Sequence, residues 1–112
     1  MGTVKHSEIA SENIGEKRTR YLTHTKNLMV AVIDFHDGPT SEPDEPHSHP
    51  HEQVSYVAEG EIIFFLDGNP THLVSGDMFT VPSNVLHSVQ LLTEHVRLVD
   101  SFNPIREDFL SE

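Results

Sequence analysis

The chain contains no cysteine, which removes disulfide staples, thiolate metal ligands and thiol nucleophiles together. Tryptophan is also missing. Positive charge is scarce: seven Lys and Arg stand against eighteen Asp and Glu, for a formal net charge of −11. A chain this acidic lacks the basic footprint that a phosphate backbone requires, so nucleic acid is not an expected partner. The long apolar runs, residues 28–33 and 62–66, fall far short of the ~20 residues that cross a bilayer. The opening residues Met1-Gly2-Thr3-Val4-Lys5-His6 hold no apolar stretch of a signal peptide, and His6 stands where myristoylation requires Ser or Thr. No segment sustains the period of about 3.6 residues that marks an amphipathic helix. The expectation is a cytoplasmic protein of one domain with no membrane partner, since 112 residues match a domain of ~100–150.

What is present reads as short strands and turns. Residues 1–19 are polar and aperiodic, an N-terminal arm with room for one short strand, and residues 20–112 form the expected domain with its tail. Leu28-Met29-Val30-Ala31-Val32-Ile33-Asp34-Phe35 is rich enough in β-branched residues for a strand buried on both faces. Residues 37–46, with Gly38, Pro39, Pro43 and Pro46, read as a loop. Residues 53–57 and 61–66 read as strands joined in a hairpin by Ala58-Glu59-Gly60. Asp67-Gly68-Asn69-Pro70 is a second tight turn. Short strands follow at residues 71–74, 78–81, 86–92 and 95–102, and residues 106–110 allow one helical turn. Many short strands with frequent turn signals predict an all-β barrel or sandwich, in which closure protects the sheet edges.

Nine histidines are the excess in this composition. Without Cys, imidazole and carboxylate are the ligands left for a transition metal. His47, His49 and His51 crowd into one short segment. Side chains alternate along a strand, so His47, His49 and Gln53 share a face if the segment is extended. His87, just after the turn Pro82-Ser83-Asn84, is available from a neighbouring strand. The spacing follows metal-ligand logic, although a His-rich surface loop that binds nothing has the same composition.

His47-Ser48-His49-Pro50-His51-Glu52-Gln53 followed by Gly60 resembles the first cupin motif, and the stretch from Gly76 to His87 resembles the second. The resemblance implies a single-domain cupin, an RmlC-like jelly-roll β-barrel with a bound metal. Gln53 stands where the motif usually has Glu, and Asn84 replaces the motif Gly; Asn tolerates the left-handed conformation that such a turn needs. Glu52 has the wrong parity to serve in place of Gln53 unless a bulge intervenes. Three neutral His and a neutral Gln leave a divalent ion its full charge, which favours an anionic ligand. His51 is read as exposed or as supporting the ligands, and whether His51 or His36 enters the pocket is left open.

In Val96-Arg97-Leu98-Val99-Asp100-Ser101-Phe102 the even positions share a face. If Val96 and Leu98 point inward, so do Asp100 and Phe102. A carboxylate aimed into an apolar interior is costly unless paired or functional. Beside a metal motif, Asp100 becomes a candidate general acid/base; at a frayed strand end it would only cap a turn. Arg106 is placed to fold back and clamp an anion, or to pair with Glu107 or Asp108 on the surface.

The segments at 47–61 and 100–110 also resemble the pectin-degradation cupins of the KdgF type. That family converts 4,5-unsaturated monouronates into open-chain keto forms. The resemblance implies a divalent transition metal (Ni, Zn, Mn, Fe or Co) held by His47, His49, Gln53 and His87, with Asp100, Phe102 and Arg106 as catalytic residues. The expected partners are a small anionic sugar acid and a second copy of the chain, through paired sheets or a swapped arm. The alternatives are a metal-dependent cupin dioxygenase and a non-catalytic sugar-acid-binding module.

Overall fold

The computed structural model describes residues 2–110, so Met1 of the arm and Ser111 and Glu112 of the tail lie outside the described residues. In chain order the strands are β1 (Glu12–Gly15), β2 (Arg18–His24), β3 (Met29–Phe35), β4 (Glu52–Glu59), β5 (Glu61–Leu66), β6 (Asn69–Val74), β7 (Met78–Val81), β8 (His87–Leu91) and β9 (Val96–Asn103). A short 3-10 turn, Glu107–Phe109, follows. The strands form a six-stranded sheet in the order β1-β2-β3-β9-β4-β7 and a three-stranded sheet in the order β6-β5-β8. Every pairing is antiparallel, and the sheets enclose one interior, the all-β architecture that the turn spacing predicts and the jelly roll that the cupin resemblance implies. A strand lies within the stretch read as an arm, and β2 begins just inside it.

Alternation along the strands builds the interior. On β9, Val96, Leu98, Asp100 and Phe102 are buried while Arg97, Val99 and Ser101 are less so. On β4 the inward set is Gln53, Ser55 and Val57. Val57, Leu98, Phe64 and Phe79 belong to the larger apolar cluster, and Met29, Ala31 and Phe102 form a smaller one. Antiparallel register sets Val57 opposite Leu98, Ser55 opposite Asp100 and Gln53 opposite Phe102. A polar layer therefore lies between two hydrocarbon clusters.

Two expectations are corrected. The strand at 29–35 is not buried on both faces: Met29 and Ala31 are interior, but Val30 is 40% exposed on the outer face of the large sheet. Nor do β4 and β5 form a hairpin, because they belong to different sheets. The chain crosses between sheets at Gly60, whose φ of +86° is left-handed. A Cβ there would lie 2.3 Å from the His95 carbonyl oxygen and 2.6 Å from Thr93 Oγ1. The reversal at Asp67-Gly68 is a true hairpin turn, with φ of +50° and +82° at successive residues joining β5 to β6.

These two glycines separate space from backbone preference. Nothing lies within 4 Å of a Cβ built on Gly68. Gly68→Ala should cost about 1 kcal/mol through φ alone, whereas Gly60→Ala should cost roughly 3 kcal/mol or more, since its backbone neighbours must also move. Urea denaturation of both variants tests the ordering, and equal losses would contradict it.

Candidate functional site

The residues 36–51 connect β3 to β4 and lie along the free edge of β8. Thr40 and Asp44 donate backbone hydrogen bonds to the carbonyls of Leu91 and Val89. His47 and His87 then exchange a reciprocal pair, 3.1 Å from His47 N to His87 O and 2.9 Å from His87 N to His47 O. The prolines at 39, 43, 46 and 50 lack the N–H that a regular ladder needs, which suits this intermittent pairing. Arg18 ties the loop to the barrel through Asp37 and Asp44, with 2.8 Å from Nη1 to Asp44 Oδ2. Asn84, with φ of +65°, donates its N–H to the His49 carbonyl at 2.8 Å. The turn before His87 thus holds the backbone of one histidine and introduces another.

These bonds bring three imidazoles together. Ligand-capable nitrogens of His47, His49 and His87 all lie within 4.8 Å of one another. His47 stands exposed at the rim, while His49 and His87 are 7% and 6% exposed. The hydrogen-bond partners assign the tautomers. Nδ1 of His49 lies 2.9 Å from the His51 carbonyl, and Nδ1 of His87 lies 3.0 Å from the Val85 carbonyl. A carbonyl only accepts, so each Nδ1 carries the proton and each Nε2 keeps its lone pair. Burial pushes His87 down to about 4, and burial followed by the neighbouring His49 and Arg106 lowers His47. Both are neutral at pH 7.

Gln53 completes the set. Its Oε1 lies 3.2 Å from His49 Nε2, and its Nε2 donates to Ser55 Oγ at 2.9 Å. Ser55 Oγ donates onward to Asp100 Oδ1 at 2.6 Å, in the range of a charge-assisted bond. Two acceptors, the His49 Nε2 lone pair and the Gln53 carbonyl, therefore face each other without a hydrogen between them. Such convergence suits a cation. Three imidazoles and an amide oxygen are a donor set that fits a divalent transition ion.

Asp100 is 5% exposed, between Ala31 on β3 and Ser55 on β4. Burial raises its carboxyl to about 6, against the opposing effects of the Ser55 hydroxyl and the Arg106 charge. A cavity of about 230 Å³ joins these groups, lined by His47, Gln53, His87, Asp100, Phe102 and Arg106 among others. Phe102 meets His49 edge to face at 5.9 Å. Arg106 makes the surface pair with Asp108 that its sequence allowed and also lines the cavity. It donates to Asp108 from Nε and Nη2 at 3.1 and 2.8 Å, and its guanidinium also lies 5.2 Å from the Phe102 ring centroid and 4.2 Å from that of Phe109.

His36 and His51 lie elsewhere. His36 stacks on His95 at 4.6 Å with an interplanar angle of 3°, beside Asp34. Parallel rings do not converge their in-plane lone pairs, and Asp34 already accepts from His95 at 2.7 Å and Arg97 at 2.9 Å, so this second cluster reads as an ion-pair network. His51 supports His49 through its backbone carbonyl and lines a separate groove with Ile105 and Asp108. Sequence reasoning missed Ser55, Arg18 and Phe109. Ser55 shares the parity of Gln53, which was the available signal. The other two needed the path of a loop and of the tail.

Residues 32–102 match the family model described as cupin domain. The chain belongs to the cupin family. It is 33% identical over 101 residues to the pectin degradation protein KdgF of Dickeya dadantii, spanning 88% of this chain and 89% of that one. An RmlC-like cupin from Shewanella frigidimarina superposes with a TM-score of 0.87 at 35% identity, covering 97% of this chain and 96% of its own. KdgF from Halomonas sp. does so with a TM-score of 0.86 at 28% identity, covering 97% and 99%.

The raised Asp100 carboxyl predicts a pH-dependent cost. Its folded value of about 6 lies above the ordinary 3.8, so its contribution to stability is intact below pH 3.8 and is lost as pH rises through 6. Asp100→Asn removes that loss. In the presence of a chelator, the variant should gain roughly 3 kcal/mol relative to the unaltered chain between pH 4 and pH 8, measured by urea denaturation. A stability difference independent of pH would contradict the burial argument.

Proposed function

We propose that this cupin is a metal-dependent enzyme that opens and ketonises 4,5-unsaturated monouronates, with His47, His49, Gln53 and His87 as ligands. The observation that carries the reading is a carboxylate of raised pKa linked through Ser55 to a convergent His/Gln set within one small cavity. At about 230 Å³ the cavity is smaller than the ~300–1,000 Å³ typical of drug-sized ligands, which suits a monosaccharide. The likeness to a pectin degradation protein supports the substrate class.

The chemistry is an isomerisation. The anomeric hydroxyl loses its proton, the C1–O5 bond breaks to leave an aldehyde at C1, and the enol oxygen at C5 becomes a ketone as C4 gains a proton. Asp100 takes the hydroxyl proton as a base and returns a proton to C4 as an acid. A value near neutrality equips one carboxyl for both steps. Arg106 holds the substrate carboxylate through the Nη1 donors that Asp108 does not use. Phe102 supplies an apolar wall for the sugar face. A divalent ion in the His/Gln set supplies Lewis acidity for the charge that develops on oxygen. The test is the loss of the unsaturated-uronate chromophore. Metal-loaded protein should accelerate it, and Asp100→Ala should lower that acceleration by about 10²–10⁴-fold. No acceleration over the spontaneous rate would overturn the proposal, as would full activity in Asp100→Ala.

The partner in solution is proposed to be a second copy. Tyr21, Val32, Val99, Tyr56 and Met78 lie in one row across five strands on the outer face of the large sheet. Tyr56 and Met78 are 44% and 65% exposed. An apolar band that the arm covers at one end only suits a two-fold contact between like faces. Val4, His6 and Ile9 of the arm lie over β2 and β3 of their own chain, beside Tyr21 and Val32 at one end of this band. Light scattering should give a dimer mass, and Tyr56→Asp with Met78→Asp should give a monomer. A monomer mass for the unaltered chain would contradict this.

A further inference from the structure

We propose that Ser55 is a positioning residue that fixes which end of the Gln53 amide faces the metal-ligand set. This rests on the metal reading above and adds a cause for its geometry. The side-chain amide of Gln53 has a donor end and an acceptor end of nearly identical shape. Rotation by half a turn would point an NH₂ at His49 Nε2, form a good hydrogen bond there and remove the oxygen that a cation needs. Something must oppose that turn.

The opposing element is the direction of the hydrogen-bond chain. Ionised Asp100 can only accept, so the Ser55 hydroxyl donates its hydrogen to Oδ1 at 2.6 Å. Having spent its one hydrogen, Ser55 Oγ can only accept from the other side. At 2.9 Å it must receive the Gln53 Nε2 donor. Gln53 Oε1 is then left 3.2 Å from His49 Nε2. Ser55 is 1% exposed, so no solvent competes for its hydroxyl, and it sits directly opposite Asp100 in the β4–β9 register. The register of one strand pair thereby sets the polarity of a proposed metal ligand two side chains away from the carboxylate. The neutral amide needs this device, whereas a carboxylate in its place would present oxygen in either orientation.

That difference supplies the experiment. The Zn²⁺ and Ni²⁺ affinities are measured by competition with a chromophoric chelator for four proteins: the unaltered chain, Ser55→Ala, Gln53→Glu, and the double variant. Ser55→Ala should weaken binding by about 10-fold or more in the Gln53 protein, the scale expected for a group that orients a ligand. In the Gln53→Glu background the same substitution should change affinity less than about 2-fold, because the introduced carboxylate has no wrong end. Equal losses in both backgrounds would overturn the proposal and show Ser55 to be merely structural. So would unchanged affinity in Ser55→Ala, and circular dichroism of each protein checks that the barrel is intact. Failure of the unaltered chain to bind either ion would overturn the metal reading itself and the Ser55 role with it.

Discussion

A carboxylate held between two hydrocarbon clusters needs hydrogen-bond donors, and the architecture around Asp100 follows from that need. Leu98 and Phe102, its same-face neighbours on β9, belong to the larger and the smaller cluster respectively. Ala31 on one side is small enough to leave room, and Ser55 on the other supplies a hydroxyl. That hydroxyl then commits Gln53, and Gln53 faces His49. Burying the acid raises its pKa and costs stability above that value, a cost that a purely structural layer of the barrel would not carry.

The histidines depend on a different device. Their loop has too many prolines to become a regular strand, yet it lies along β8 through separated backbone bonds and ends in the reciprocal His47–His87 pair. Rings meeting at 4.4 Å follow from paired backbones rather than from side-chain attraction. Arg18 secures the same loop by its two aspartates, and its guanidinium also covers Phe35 at 4.8 Å. The C-terminal turn is held by stacking: Phe109 lies between Arg20 at 3.7 Å and Arg106 at 4.2 Å. Loop and tail thus approach the same cavity from two sides, each anchored by an arginine.

The sequence carried the parts of this arrangement that local geometry determines. Strand parity alone turns Asp100 inward with Val96 and Leu98, because a period of two is a property of the backbone. Asp67-Gly68 announces its own turn, since both residues take left-handed φ. Gly60 announced a turn too, but turn chemistry does not say which sheet receives the next strand, and the expected hairpin became a crossover. β3 looked buried on both faces because β-branched residues suit any strand, whereas burial depends on whether something covers the sheet. Ser55 was overlooked for a related reason. A serine has no charge and no motif, and its importance comes from the residue across the strand pair, Asp100, forty-five positions away.

Charge connects the site to the composition. The chain carries −11 overall, and the proposed substrate is an anion. Within the cavity Asp44 is matched by Arg18 and Arg106 by Asp108, which leaves Asp100 as the acid without a basic partner at hydrogen-bond distance. The ligand set adds no negative charge, because its imidazoles carry none, burial lowers His47 and His87 below the ordinary value, and Gln53 is an amide. A site built this way repels a carboxylate until a cation enters. A divalent ion held there would reverse the local sign, since its +2 would meet only one ionised Asp100. A Glu at position 53 would take up the remaining charge. In the proposed enzyme a neutral Gln would let one ion both bind and attract an anionic sugar, with a fixed orientation of its amide as the condition for that ion to find an oxygen there.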